Sequence, residues 1–192
     1  MNRKTSCITD EQFNRIIGIM YHGESYIKPN KEMALILTVT GNSGLRIGDC
    51  LSLTLDSFIR EGNEYHYNII EEKTGKQRTT VIPKEIYLII KTYSENVGRT
   101  NDKIFDYSVR AIQKKLRQIC SYLGDEYKDV STHSFRKRAG MHVYKLSGND
   151  IELTRKFLNH SSVTTTQRYL GVEEEDIDKL LMSNYSIPFK TA

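Results

Sequence analysis

The sequence predicts a fold that is mainly α with one small β-hairpin, an α+β domain. Most of the chain carries apolar residues at the three- and four-residue spacing of amphipathic helices, whereas the stretch 65–82 alternates apolar and polar residues as strands do. The 192 residues, 38% hydrophobic and 27% charged, suffice for one domain with its own core. We find no linker that would divide the chain.

Helices are predicted before the hairpin. Thr9 and Gln12 have the spacing of a capping box, and apolar residues follow at helical intervals. A second helix, 31–42, is apolar almost all round in its middle, so it should be buried. Gly44 ends this helix, and a short helix begins near Arg46.

The hairpin follows. The stretch 65–69 alternates between apolar and polar residues, 77–82 forms the second strand, and Thr74-Gly75 provides the turn between them. Lys73 and Lys76 therefore lie at the hairpin tip.

Helices also dominate the second half. Apolar spacing predicts one helix near 86–93, and another begins at the N-cap Ser108 and ends at Gly124. Arg110, Lys114 and Arg117 fall on the polar face of this second helix. Further helices are predicted at about 134–146, 150–158, 163–169 and 173–182.

Composition narrows the possible functions. A net charge of +4 and a pI near 8.8 are mildly basic, which is weak evidence for a polyanionic partner. The cysteines Cys7, Cys50 and Cys120 fit neither a disulfide framework nor a zinc site, so we expect a reducing cytoplasm and no metal. The longest apolar run, 33–39, is too short to cross a bilayer, so we expect no membrane association.

Several polar residues have the types needed to break a phosphodiester. Planar guanidinium groups neutralise the charge of the transition state best, and Arg46 and Arg136 are the candidates. The leaving oxygen needs a proton, which Lys73 at the hairpin tip could deliver. Because Lys76 is a second lysine at this tip, the assignment of the acid stays open between the two.

Tyr169 is the candidate nucleophile, since tyrosine forms covalent intermediates when its neighbours activate it. His133 is placed to accept its proton or to assist at the phosphate, because histidine titrates near neutrality. His160 could donate a hydrogen bond to a phosphate oxygen, and Asp49 would orient an arginine or a histidine. No cofactor is needed, because the cations are side chains.

Each of these residues has an ordinary structural explanation when it is considered alone. An arginine after a glycine-rich turn is usually a surface or capping residue, and one tyrosine among 12 is usually part of a core or its rim. The occurrence of all the required residue types together, in this order, is much harder to explain by chance. His22, His66 and His142 fit no such pattern and are interpreted as structural.

Four segments, 40–49, 71–76, 133–136 and 158–170, carry these candidate residues. Their residue types and spacing resemble the catalytic domain of the tyrosine recombinases, the phage integrase family. The matches extend over most of the chain, and the last segment is the most specific. The resemblance implies the tyrosine recombinase catalytic-domain fold, with 1–172 as that domain.

The resemblance also implies a role for each residue. Arg46 and Arg136 would clamp the scissile phosphate of double-stranded DNA. Lys73 would protonate the 5′ oxygen, and His133 would assist proton transfer. His160 would contact the phosphate, Asp49 would support the site, and Tyr169 would form a 3′-phosphotyrosyl link, without metal or ATP.

Two departures from the family pattern are mild. Phe135 stands where Leu is frequent, which should affect packing only, and Asn159 stands where Gly is frequent before the histidine. The larger departure is length. The amino-terminal core-binding domain of integrases is expected to be absent, so the chain is either a fragment of a longer integrase or a short recombinase that lacks this arm.

Further expectations follow from the family. A homotetramer on DNA, with a monomer in its absence, would act in the cytoplasm at the nucleoid, on a mobile element or prophage. Arg110, Lys114 and Arg117 would face the DNA or simply the solvent, with Lys76 as a further DNA contact. The segment 173–192 would form a helix and tail that is exchanged between protomers or packs on its own domain.

Two other functions use the same residues. A type IB topoisomerase-like relaxase would perform this chemistry without pairing two sites. A non-catalytic DNA-binding regulator on the same fold is disfavoured, since every catalytic position is occupied by a competent residue.

Overall fold

A computed structural model describes residues 6–172 of the chain, and the predicted helix at 173–182 lies outside them. The fold is mainly helical, as predicted, with one small antiparallel sheet inserted between the third and fourth helices. In chain order the helices are α1 (Asp10–His22), α2 (Lys31–Ser43), α3 (Ile47–Leu51), α4 (Lys84–Asn96), α5 (Val109–Leu123), α6 (Thr132–Leu146), α7 (Ile151–Phe157) and α8 (Val163–Leu170).

The sheet has three strands rather than the two that the sequence pattern predicted. β1 (Phe58–Glu61) pairs with β2 (Glu64–Ile70), which pairs with β3 (Gln77–Ile82), all antiparallel. β1 was missed because three of its four residues are exposed, so its sequence carries no alternation of buried and exposed positions. The dipeptide Gly62-Asn63, a two-residue hairpin turn signal, was the available clue.

α2 forms the centre of the core and packs between α1 and α6. Residues are buried on every side of it, which confirms the prediction made from its apolar sequence. Gly41 allows α1 to approach closely, because a Cβ atom there would lie 2.6 Å from the Phe13 ring. Phe13 in turn contacts the fully buried Phe135 of α6, with ring centroids 5.8 Å apart. The α6 residues next to Phe135 are therefore held against the end of α2.

Local sequence signals set the ends of these helices. The predicted capping box of Thr9 and Gln12 is present at α1, and Ser108 and Gly124 cap α5 at its two ends, as predicted. Within residues 6–172, the helices lack the length and apolar character that crossing a membrane requires.

Candidate active site

Arg46 lies at the start of α3, just after the glycine that ends α2. Gly44 has the left-handed φ of 63°, and a Cβ atom there would lie 2.7 Å from the Phe157 ring. Glycine satisfies both the backbone and the space, so the chain turns sharply here. Arg46 is the N-cap residue of α3, and its side chain is 19% exposed. Its backbone is thus fixed while its guanidinium remains accessible.

Arg136 approaches the same turn from α6. It is 2% exposed, and it donates from Nη1 to the Gly44 carbonyl oxygen and from Nη2 to the Leu158 carbonyl oxygen at 2.6 Å. Burial, and then the charges of Arg78 and Arg46, lower its pKa to about 10. The guanidinium is still charged at neutral pH, so two arginines concentrate positive charge at this point.

Asp49 lies beneath Arg46 and is 1% exposed. One carboxylate oxygen accepts a hydrogen bond from the Glu72 backbone N–H at 2.9 Å, and the other is 3.7 Å from Arg46 Nη1. Asp49 therefore connects α3 with the segment that leads into the hairpin turn.

Glu71 and Arg78 complete the charged cluster, although the sequence argument gave them no role. Glu71, fully buried after β2, lies 2.7 Å from Arg46 Nη1 and 3.6 Å from Arg78 Nη1. Burial would raise the pKa of Glu71, but a hydrogen bond from Thr74 and the arginine charges lower it below its ordinary value. Together with Asp49, the cluster contains three guanidinium groups and two carboxylates, those of Asp49 and Glu71. It therefore has one net positive charge.

Lys73 and Lys76 are exposed at the hairpin tip, as predicted. Only Lys73 is among the charges that act on a histidine of the site. His133 is an exposed residue in the first turn of α6. Its pKa is lowered by partial desolvation and then by the charges of Arg136, Lys73 and Arg46. Lys73 is thus among the charges that act on His133, and its choice over Lys76 stays a prediction.

His160 lies in the corner between α7 and α8. Its Nδ1 is 3.2 Å from the Thr166 hydroxyl, and its carbonyl oxygen accepts a hydrogen bond from Arg155 at 2.7 Å. The preceding Asn159 has a left-handed φ of 52°, which explains why this position suits glycine or asparagine. Desolvation and then the charge of Arg136 lower the His160 pKa to about 4, so the ring is neutral at pH 7.

Tyr169 projects from α8 into the same space. Its ring meets the His160 ring edge-on, with centroids 5.1 Å apart, and its hydroxyl donates to the His133 carbonyl oxygen at 3.2 Å. Desolvation raises the pKa of Tyr169 to about 12, although Arg136 and Arg46 act to lower it. The structure thus brings together Arg46, Arg136, His133, His160 and Tyr169, with Lys73 at the edge.

The basic face of α5 is not part of this cluster. Arg110, Lys114 and Arg117 are exposed, and they make no hydrogen bond or ion pair within residues 6–172. Their exposure is compatible with both expectations, DNA contact or solvation.

Comparison with known proteins identifies this arrangement. The profile of the Phage integrase family matches residues 6–176, nearly the whole chain. The chain belongs to the phage integrase family. It is a tyrosine recombinase, one of the enzymes that break and rejoin DNA strands.

Curated relatives agree with this assignment. The recombinase chain is 32% identical over 157 residues to the probable integrase/recombinase YoeC of Bacillus subtilis (strain 168), covering 78% of this chain and 82% of YoeC. It is 26% identical over 159 residues to the tyrosine recombinase XerC of Caldanaerobacter subterraneus, covering 78% of this chain but 44% of XerC. It thus spans most of one relative and less than half of the other.

Solved structures share the fold of this recombinase. The XerH site-specific recombinase bound to its difH substrate superimposes with a TM-score of 0.71 at 16% identity, covering 95% of this chain and 54% of XerH. The catalytic domain of bacteriophage HP1 integrase gives a TM-score of 0.62 at 16% identity, covering 94% of this chain and 95% of that domain. These likenesses confirm the predicted catalytic-domain fold.

A sequence signal for one missed residue of the recombinase site was present. Arg78 alternates with Thr80 and Ile82 on the inward face of β3, where an arginine must have a buried partner. No comparable signal marks Glu71, because acidic residues before a turn are usually solvated.

Proposed function

We propose that this chain cleaves and rejoins DNA at specific sites, with Tyr169 as the nucleophile. The observation that carries the proposal is the position of the phenol. Its ring contacts His160, and the charges of Arg136 and Arg46 both act on its ionisation. A tyrosine on which two guanidinium charges act is suited to attack a phosphate that those groups bind.

The proposed reaction is a transesterification. The phenolic oxygen of Tyr169 forms a bond to the scissile phosphorus, and the bond from phosphorus to the 5′ oxygen breaks. Lys73 gives a proton to this leaving oxygen, which departs as a 5′ hydroxyl. Attack by a 5′ hydroxyl on the phosphotyrosyl link reverses the step, so rejoining needs no ATP.

Arg46 and Arg136 bind the non-bridging oxygens in this proposal. Both are preorganised, since one is fixed behind Gly44 and the other is held by two backbone carbonyl groups. The cluster's single net positive charge matches the single negative charge of a phosphodiester. Such fixed donors cost little reorganisation when charge develops in the transition state.

Tyr169 must lose a proton before or during attack. With a pKa of about 12 it is protonated at neutral pH, so a base is required. His133 is assigned to proton transfer and His160 to a phosphate oxygen. Both are neutral at pH 7, because their pKa values are lowered, and a neutral imidazole can accept a proton or donate a hydrogen bond.

Double-stranded DNA is the proposed partner, bound by a homotetramer at the nucleoid. Four exposed cationic side chains would contact its phosphate backbone: Lys76 and the α5 residues Arg110, Lys114 and Arg117. Lysine and arginine neutralise the phosphates of DNA and so contribute to affinity. Residues 6–172 would supply the catalytic unit, and the segment 173–192, for which exchange between protomers and packing on its own domain were both expected, lies outside the described residues.

The test begins with a pool of DNA duplexes that carry a randomised central segment. Wild-type protein should form covalent adducts that survive denaturation, in the presence of EDTA, and sequencing them identifies a preferred duplex. Tyr169→Phe should bind this duplex normally in a gel-shift assay and form no adduct. Adducts with Tyr169→Phe, or binding without adducts by the wild type, would contradict the proposal.

A further inference from the structure

Glu71 and Arg78 form a buried ion pair beside the proposed active site. We infer that this pair consists of positioning residues that set Arg46 relative to Arg136 and so shape the phosphate site. The inference rests on the proposed function, since it concerns the same reaction. Neither side chain needs to touch the DNA for the effect.

Glu71 acts on Arg46 directly. Its Oε2 lies 2.7 Å from Arg46 Nη1, the shortest ion pair of that guanidinium, and it also accepts a hydrogen bond from the Thr74 hydroxyl at 2.8 Å. The pair is close but not aligned as a hydrogen bond, since Arg46 Nη1 lacks an aligned acceptor within the described residues. The carboxylate thus fixes the guanidinium through charge and short distance, and Arg46 Nη1 itself is buried.

Arg78 anchors the pair to the backbone. Its guanidinium donates to the carbonyl oxygens of Ser43 at 3.2 Å, Gly44 at 3.0 Å and Phe157 at 2.6 Å. The Gly44 carbonyl oxygen also accepts a hydrogen bond from Arg136. Arg136 donates its other hydrogen bond to the carbonyl oxygen of Leu158, the residue after Phe157. One buried side chain therefore joins the turn before Arg46 to the corner that leads to His160.

The chemistry of this arrangement favours positioning over stability. A buried ion pair is often replaceable by apolar residues without loss of stability, because desolvation offsets the attraction. Arg78 also adds a positive charge beside Arg136 and helps to lower the pKa of that residue. Arg78 thus repels Arg136 while it pairs with Glu71. Its forked geometry holds three carbonyl groups that a lysine would not span.

Two substitutions test the inference on the duplex selected with the wild-type protein. Glu71→Gln keeps the shape of the side chain and removes its negative charge. Arg78→Lys keeps the positive charge and removes the forked guanidinium group. Each should lower the single-turnover cleavage rate roughly 10- to 100-fold, as expected when a reacting group is displaced slightly. Affinity for the duplex, measured by gel shift, should change by less than about twofold.

Two controls separate positioning from folding. Arg60→Lys changes an exposed arginine of the same sheet and should cleave like the wild type. All rates are measured well below the thermal midpoint of each variant, where the chain is folded, and they are repeated with a sulfur atom in place of the 5′ bridging oxygen. The rate losses should persist there, because a sulfur leaving group replaces the need for an acid and not the need for Arg46.

The outcomes are distinct. If the wild type forms adducts and Glu71→Gln cleaves within about twofold of it, the inference is wrong while the proposed function stands. Full rescue by the sulfur substrate would also overturn it, since the pair would then act on the acid. If Arg78→Lys fails to fold, Glu71→Gln alone decides. A wild type without adducts contradicts the proposed function itself.

Discussion

The charged cluster (Arg46, Asp49, Glu71, Arg78 and Arg136) and the hairpin tip (73–76) differ in how firmly their cationic side chains are held. Arg136 is 2% exposed and is held by two carbonyl groups, whereas Lys73 is exposed and no hydrogen bond or ion pair holds its ammonium within residues 6–172. Groups that stabilise developing charge gain most from being fixed beforehand. A proton donor is needed only when DNA brings the leaving oxygen within reach.

The largest expected effect tests the hairpin tip. Lys73→Ala should lower the cleavage rate about 100- to 10,000-fold, the range for loss of a general acid. Its free energy of unfolding should change by less than about 0.5 kcal/mol, because an exposed side chain is removed. Replacing the 5′ bridging oxygen by sulfur should restore the rate, since a thiolate leaves without protonation. Rates are measured by gel electrophoresis of the cleaved strand.

Lys76→Ala is the matched control for this experiment. It should cleave the unmodified duplex at nearly the wild-type rate, apart from an effect on binding. If Lys76→Ala is the variant that sulfur rescues, the two lysines have been assigned the wrong way round.

The second effect tests the cluster. Arg136→Met should lower cleavage about 100- to 1,000-fold, as expected for loss of a preorganised donor. Its stability should fall by less than about 3 kcal/mol. Relief of the depression of the Arg136 pKa to about 10, worth roughly 3 kcal/mol, offsets most of the loss of two charge-assisted hydrogen bonds to carbonyl groups, which contribute about 3–6 kcal/mol together. Urea denaturation measures this balance.

Arg138→Met on the same helix is the control. Arg138 binds Asp10 and the Gly41 carbonyl oxygen away from the cluster, so its loss should affect stability and leave cleavage nearly unchanged. A large loss of stability in Arg136→Met would show that the cluster serves the fold first.

The smallest effect concerns His160. Its folded pKa of about 4 lies below the ordinary value of 6.5, so the unfolded chain binds the proton first as pH falls. The contribution of the neutral His160 ring to the free energy of unfolding is therefore fully present above pH 6.5. It is lost as the pH falls from about 6.5 to 4. Relative to His160→Gln, the wild type should lose about 3 kcal/mol across this window.

Urea denaturation of the wild type and of His160→Gln at each pH measures this difference. A difference that does not change with pH would mean that neither desolvation nor the arginine charges lower the pKa of His160 in the folded protein.

The same contrast explains what the sequence could and could not predict. Helices with strong apolar spacing and caps, such as α2 and α5, were predicted because local residues determine them. The candidate site residues were predicted by type and spacing, since few chemistries need that set. β1 was missed because its residues are mostly exposed and it is defined by pairing with β2.

The connections within the site were also beyond the sequence. Arg78 binds carbonyl groups 34, 35 and 79 residues away, and backbone acceptors at such separations leave no pattern in residue types. Asn159 has a left-handed backbone. In the sequence, this requirement was visible only because glycine is frequent at the same position in the family. Long-range backbone contacts therefore decide how the predicted residues are held.

The central claim is that Tyr169 becomes linked to the 3′ side of the cleaved strand. Mass spectrometry of the peptide from a trapped wild-type adduct tests it directly. The account predicts a nucleotide joined through a 3′ phosphate to Tyr169, together with release of a strand that has a free 5′ hydroxyl. A link to any other residue, or to a 5′ phosphate, would contradict it.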